Sequence, residues 1–200
     1  MNENSFDFRT DRFNFWVQGQ AALKAKSDKN EQVYKGRDRE ASKVTGIVLH
    51  QMGFNRGNEI EKYFPVTAHF VILPNGVLGW LHKFEESLYS SNFLNPTTIA
   101  VEFAGNLKDD RGIWWKGIKQ QDALTPEQVQ AGRDLLLFLR DSFGIRKVFA
   151  HRQAHQKKTN CCGPEIWSNV GEYAIRELGY EDTRDQTFGH GTPIPKTWRT

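Results

Sequence analysis

Apolar and polar positions along the middle of the chain change period several times, and each change marks an element. Gly46-Ile47-Val48-Leu49-His50 is apolar and β-branched and predicts a strand, followed by a loop over Met52 to Gly57. Asn58 to Phe64 predicts a short helix stopped by Pro65. Ala68 to Leu73 and Val77 to His82 predict two further strands around Pro74-Asn75-Gly76, a turn in which Asn-Gly tolerates positive φ. Thr97 to Phe103 alternates and predicts a fourth strand with one acid, Glu102, ending at Gly105. The clearest helix runs from Pro126 to Phe143: Thr125 stands at the N-cap, Pro126 at the first position, Gln128 three after the cap and Gly144 at the stop. Its apolar residues Val129, Leu135, Leu136, Leu139 and Phe143 lie mostly on one face. Lys147 to Ala150 predicts a fifth strand that delivers His151, and Pro164 to Leu178 a last helix closed by Gly179.

Strands interleaved with helices give an α/β fold class with a central mixed β-sheet flanked by helices. Two hundred residues bury one core and leave little for a second. The expected division is an N-terminal extension over 1–43, a single domain over 44–179 and an irregular surface tail over 180–200, with Gly189, Gly191, Pro193 and Pro195. The extension carries an aromatic cluster at Phe13, Phe15 and Trp16 and a charged stretch from Lys24 to Lys43, and is expected to dock one short amphipathic piece on the body.

Composition narrows the function classes. The longest apolar runs fall far short of the roughly 20 residues that a membrane helix requires, so no integral membrane segment is expected. The mixed aromatic and charged start lacks the pattern of a secretory signal. Against 24 acidic residues, 27 basic ones leave a formal charge of +3, scattered instead of forming a stripe, so nucleic acid is not an expected partner. The two cysteines are adjacent, Cys161-Cys162, and neighbours cannot staple distant elements. Reactivity or metal ligation is the better question for them.

His50 and His151 both sit at the C-terminal ends of predicted strands, and Cys161 follows the second by ten residues. Strand ends are rigid, so two imidazoles held there with a thiolate from the next loop make a three-ligand set of the kind zinc prefers, with a fourth position left for water. A histidine in isolation is more often a structural hydrogen-bonding residue, so the residues around these three decide the matter.

Five segments do so: Ile47-Val48-Leu49-His50; Ala68-His69-Phe70-Val71-Ile72 with Asn75-Gly76; Asn95 followed by Ile99-Ala100-Val101-Glu102; Thr125-Pro126-Glu127-Gln128; and Ala150-His151-Arg152 leading to Cys161-Cys162-Gly163-Pro164. In this order the chain resembles the amidase family of bacterial N-acetylmuramoyl-L-alanine amidases, phage T7-type lysozymes and animal peptidoglycan recognition proteins. The resemblance implies a single peptidoglycan-recognition-protein/amidase-like domain with Zn2+ at the bottom of a peptide groove. By motif position His50, His151 and Cys161 are similar to the metal ligands, with Cys162 the alternative thiol. Glu102 stands where the bacterial amidases carry their catalytic carboxylate, against the plain alternative of a solvent-facing strand residue. Thr159 matches a threonine of the recognition-protein branch, while Lys157 and Lys158 beside it offer an alternative oxyanion partner.

His69 reads as a satisfied interior histidine, His82 and His155 lack motif support, and Tyr89-Ser90-Ser91-Asn92 stands where many members carry a histidine. The implied function is hydrolysis of the amide between N-acetylmuramic acid and L-alanine in peptidoglycan or a muropeptide. Its rivals are a non-catalytic peptidoglycan-binding module and a cysteine hydrolase using Cys161 and His151. A monomer is expected, with room for an immunity or inhibitor protein on the groove. Without a signal, the expected routes are delivery to the periplasm by lysis or a secretion system, or retention in the cytoplasm. The N-terminal region, an insert around Trp114-Trp115 and the tail are additions to the common body, favouring a delivered, bacteriolytic protein.

Overall fold

The computed structural model describes residues 35–115, 117 and 119–200. The aromatic cluster at Phe13, Phe15 and Trp16 and most of the charged stretch lie outside them. Among the described residues, strands β2 (Gly46–Gln51), β3 (Phe70–Ile72), β4 (Leu78–Trp80), β6 (Thr98–Phe103) and β7 (Lys147–Ala150) form a five-stranded sheet in the order β4-β3-β6-β2-β7. β2 pairs in parallel with both β6 and β7, β3 pairs in parallel with β6, and only β4 runs antiparallel. The sheet is thus mixed and its five strands are those expected, with β3, β4 and β6 shorter at their ends, β2 longer by one residue and β7 unchanged. β2 reads as an unbroken apolar run because it is central and every one of its residues is buried.

The period of two then divides the side chains between two faces. Ile47 and Leu49 of β2, with Ile99, Val101 and Phe103 of β6, pack in the main core with Leu135, Leu136 and Leu139 of the long helix Pro126–Phe143. That core also takes in Ile166, Trp167 and Val170 of the C-terminal helical stretch. Each leucine so buried contributes roughly 2 kcal/mol relative to exposure. Val48, on the opposite face, packs with Phe149, Leu94 and Ala154. His50 and Glu102 continue the even-numbered series, so the alternation that builds the core also turns them away from the long helix.

That helix begins as expected. Thr125 Oγ1 accepts from the Gln128 backbone N–H at 3.1 Å, and Gln128 Oε1 accepts from the Thr125 N–H at 3.2 Å. Buried Gln128 also donates to the carbonyls of Ile72 and Ala104, pinning the helix start to the sheet. Gly144 closes the helix in the left-handed region at φ 68°. Phe143 is exposed and meets Phe84 and Phe138 edge-on instead of entering the core. The C-terminal stretch is helical over Pro164–Ile166 and Glu172–Arg176, with a π-helical turn at Trp167–Gly171 between them. Ile60–Tyr63 is a single 3-10 turn where a short helix was expected.

Two peripheral pieces are more integral than their composition suggests. β1 (Lys35–Asp38) pairs with β5 (Glu86–Leu88), a strand that was not anticipated. Next to it Arg39 donates to the carbonyls of Phe84, Asn95 and Thr98. Residues 180–200 carry a 3-10 turn at Lys196–Trp198 and are not surface chain throughout: Tyr180, Thr183, Ile194 and Trp198 are buried. The tail's glycines and prolines made it read as surface, since they hid the aromatic side chains that it buries.

Candidate metal centre

Three adjacent parallel strands end together, and their register decides what meets there. His50 is the direct partner of Glu102 across β2 and β6, so both side chains leave the sheet on the same side, with His50 Nδ1 3.9 Å from Glu102 Oε1. Leu49 is level with Ala150 on β7, so His151, the next residue, emerges beside His50, and the two rings lie edge to face at 4.6 Å between centroids. The carboxyl ends of parallel strands are the usual place for a site in such a sheet.

Cys161 arrives on the loop after His151. Its carbonyl accepts from the Arg152 N–H at 2.8 Å and its own N–H donates to the Lys158 carbonyl at 2.9 Å, which folds the loop back over the strand ends. Buried Gln51, just past His50, donates to the Asn160 carbonyl and accepts from the Leu107 N–H, joining that loop to the one after β6. One ligand atom from each of His50, His151 and Cys161 lies within 4.8 Å of the others, all three side chains being buried. Cys162 faces the other way, fully buried in the main core, so geometry separates the two thiols.

The imidazoles are held from behind. His50 Nε2 lies 3.0 Å from Ser91 Oγ, and His151 Nε2 lies 2.7 Å from Asn92 Oδ1. Asn92 Oδ1 only accepts, so His151 carries its proton on Nε2 and presents an unprotonated Nδ1. Donation from His50 Nε2 to the serine gives the same tautomer, with Nδ1 toward Cys161 Sγ at 3.8 Å. Such outer partners orient metal-binding histidines generally. Ser91 and Asn92 stand in the segment that lacks the family's histidine, and Asn95 shapes it by accepting from the N–H groups of Ser90 and Ser91. The signal available in the sequence was the choice of small polar residues, without periodicity to place them.

Burial, and then the charges of His151 and Lys158, drive the His50 imidazole well below its ordinary pKa. Burial first, then Lys158 and His155, lowers His151 to about 3. Both rings are therefore neutral at pH 7. Burial pushes the Cys161 thiol up to about 12, with the Glu102 charge adding to it. Burial also lifts the Glu102 carboxyl to about 7, against the opposing pull of Lys158. Its Oε2 is buried without a hydrogen-bond partner. Two neutral imidazoles and a thiol costly to ionise alone are what a divalent cation would satisfy together, with the orphaned carboxylate oxygen left beside them. A tetrahedral zinc ion sets nitrogen and sulfur ligands roughly 3.6 Å apart. The 3.8 Å between His50 Nδ1 and Cys161 Sγ fits it.

A cavity of about 240 Å³ opens over the cluster, and its walls include Val66, Thr67, Trp115 and Lys158. A second hollow of about 450 Å³ shares Ser90, His151 and Lys158 with the first and continues to Tyr89 and His155. The cleft thus has two limbs meeting at His151. Thr159 is exposed outside both limbs, while its neighbour Lys158 lines both; one step along the loop exchanges a wall position for an outer one. His69 is satisfied inside the fold, accepting from the Ala100 N–H at Nδ1 with Nε2 against the Glu86 carbonyl. His82 pairs with Glu86 at 2.6 Å.

A family model described as N-acetylmuramoyl-L-alanine amidase matches residues 40–164. No curated protein sequence matches the chain. Among solved structures, the N-acetylmuramoyl-L-alanine amidase LysC from Clostridium intestinale superimposes with a TM-score of 0.55 at 14% identity, covering 76% of this chain and 95% of its own. A selenomethionine derivative of AmpD gives 0.53 at 16% identity, over 69% and 88%. The Drosophila peptidoglycan recognition protein SA gives 0.52 at 13% identity, over 76% and 91%. At such identities the likeness is one of fold.

Proposed function

Because the chain belongs to the N-acetylmuramoyl-L-alanine amidase family, we propose that it hydrolyses, with zinc, the amide joining N-acetylmuramic acid to the L-alanine of peptidoglycan stem peptides. The observation that carries this reading is the convergence of His50, His151 and Cys161 beside the unpaired oxygen of Glu102. The three residues would hold the ion, with Ser91 and Asn92 fixing the tautomers that face it. When bound, zinc supplies Lewis acidity toward water and toward the lactyl carbonyl.

Glu102 then acts on protons. Its carboxylate takes one from the attacking water as the new C–O bond forms, and later passes it to the alanine nitrogen as the C–N bond breaks. Burial in the metal-free protein holds this carboxyl above its ordinary range, which favours its keeping the proton long enough to return it to the leaving nitrogen. Lys158, on the cleft wall, faces the negative charge that develops on the carbonyl oxygen, the part assigned to Thr159 by resemblance.

A thiol nucleophile is poorly supported by the same geometry. Catalytic cysteines work as thiolates of lowered pKa, whereas burial pushes Cys161 up to about 12 beside a neutral imidazole. Purified peptidoglycan digested with zinc-loaded protein is expected to release free stem peptides beginning at L-alanine, identified by mass spectrometry. Chelation should abolish the release and zinc restore it, with thiol alkylation of the loaded protein having little effect. Cleavage within the peptide, or activity that survives chelation, would overturn the assignment; binding without any product would leave a recognition module.

A further inference from the structure

The segment between β6 and the long helix does more than fill space. Asn106, fully buried at its base, accepts from the Trp115 N–H at 3.1 Å and donates to the Gln120 carbonyl at 2.8 Å, so one side chain clasps both limbs of the insert. Trp114 Nε1 donates to the Asp122 carbonyl, and Asp122 in turn accepts from Asn106 N–H and Asn55 Nδ2. The insert is thereby tied at several points, and what it delivers to the cleft is Trp115. Among the described residues lining the cavity over His50, Glu102 and Cys161, Trp115 is the one aromatic side chain besides the imidazoles. Lys158 Nζ lies 5.8 Å from its ring centroid, which marks the indole face as the electron-rich wall beside the site.

The substrate of the proposed reaction constrains what that wall meets. Only the lactyl ether separates the scissile carbonyl from a pyranose carbon, so when the carbonyl lies at Glu102 the sugar must occupy the same small cavity. A pyranose presents a face of weakly positive C–H groups, complementary to an indole face, whereas the stem peptide carries carboxylates that such a face does not attract. We propose that Trp115 is the specificity-determining residue for the glycan side of the substrate: its indole stacks on the muramic acid ring and so selects sugar-bearing peptides. The limb beyond His151, with Tyr89 and His155, then takes the stem peptide.

This assignment rests on the amidase reading, and the experiment separates the two. Zinc-loaded Glu102→Gln protein, which cannot turn over, is titrated calorimetrically with an N-acetylmuramoyl tripeptide and with the D-lactyl tripeptide that lacks only the sugar. The sugar-bearing ligand is expected to bind roughly tenfold tighter, from one apolar face removed from water. Adding Trp115→Ala should bring the two affinities together, while Trp115→Phe should keep most of the gap and shows that the insert still folds. A gap untouched by Trp115→Ala, or equal affinities with Trp115 present, overturns the stacking role and leaves the amidase reading standing. Failure of both ligands to bind overturns both.

Discussion

Glu102 is the residue at which the proposed chemistry and the stability of the fold pull in opposite directions. Its side chain is 17% exposed, one carboxylate oxygen is buried without a partner, and burial raises the carboxyl from 4.5 to about 7. A raised acid holds its proton more tightly in the folded state than in the unfolded one. Its contribution is therefore fully present below about pH 4.5 and is lost as pH rises toward 7. Glu102→Gln has no charge to bury, so in the metal-free protein it should be equal to wild type near pH 4.5. It should be more stable by about 1–3 kcal/mol at pH 8. Urea unfolding at the two pH values measures this, and a difference independent of pH would show that the carboxylate is solvated after all. The same substitution should cost roughly 10²–10⁴-fold in hydrolysis, because an amide cannot accept the proton. Gain of stability with loss of turnover is the pattern expected of a functional group held in an unfavourable place.

At the scale of elements, the segment Tyr89 to Asn95, with its 3-10 turn at Asn92–Leu94, supports the candidate ligands. Ser91 and Asn92 each hold one imidazole from behind, and Asn92 does so from a left-handed backbone conformation, φ 55°, which asparagine tolerates better than most residues. Asn92→Ala is expected to lower zinc affinity roughly 10–100-fold by freeing the His151 ring, with Ser91→Ala acting likewise on His50. Competition against a chromophoric chelator reads this out, and unchanged affinity in both variants would mean that the rings are fixed by packing alone. His50 and His151 could be placed at strand ends from the sequence because strands announce themselves by β-branched runs, whereas Glu102 was singled out only by its motif position in the family resemblance. The supporting loop was not legible, since Ser-Ser-Asn fits any turn. β1 and β5 escaped for a related reason: strands of four and three residues, some fifty positions apart, carry too little alternation to be told from loop. Lys158 was legible only as one of two adjacent lysines, because which of them faces a cavity depends on the turn of the chain between His151 and Cys161.

For the whole molecule the question is why an irregular tail remains attached. The Trp198 side chain is fully buried, its indole N–H donates to Asp110, and the guanidinium of Arg152 lies 4.6 Å from its ring centroid. The Thr192 N–H donates to the Arg152 carbonyl, and the Phe188 N–H to the Gln153 carbonyl. Arg152 and Gln153 belong to the single 3-10 turn that begins with His151. The tail thus clamps, from outside, the turn that sets one of the candidate ligands, while Arg152 N–H holds the carbonyl of another, Cys161. Trp198→Ala should cost about 3–5 kcal/mol as a buried aromatic truncation. Removal of 180–200 should cost more, since it also strips Tyr180, whose hydroxyl donates to the Leu136 carbonyl of the long helix. If the clamp matters to the site, Trp198→Ala should weaken zinc binding as well as lower the melting temperature, at a temperature where the variant is still folded. An equally destabilising change remote from that turn, such as Leu136→Ala in the helix core, should lower the melting temperature with little effect on metal affinity in the folded protein. Equal metal affinities for the two variants would reduce the tail to a cover over the core.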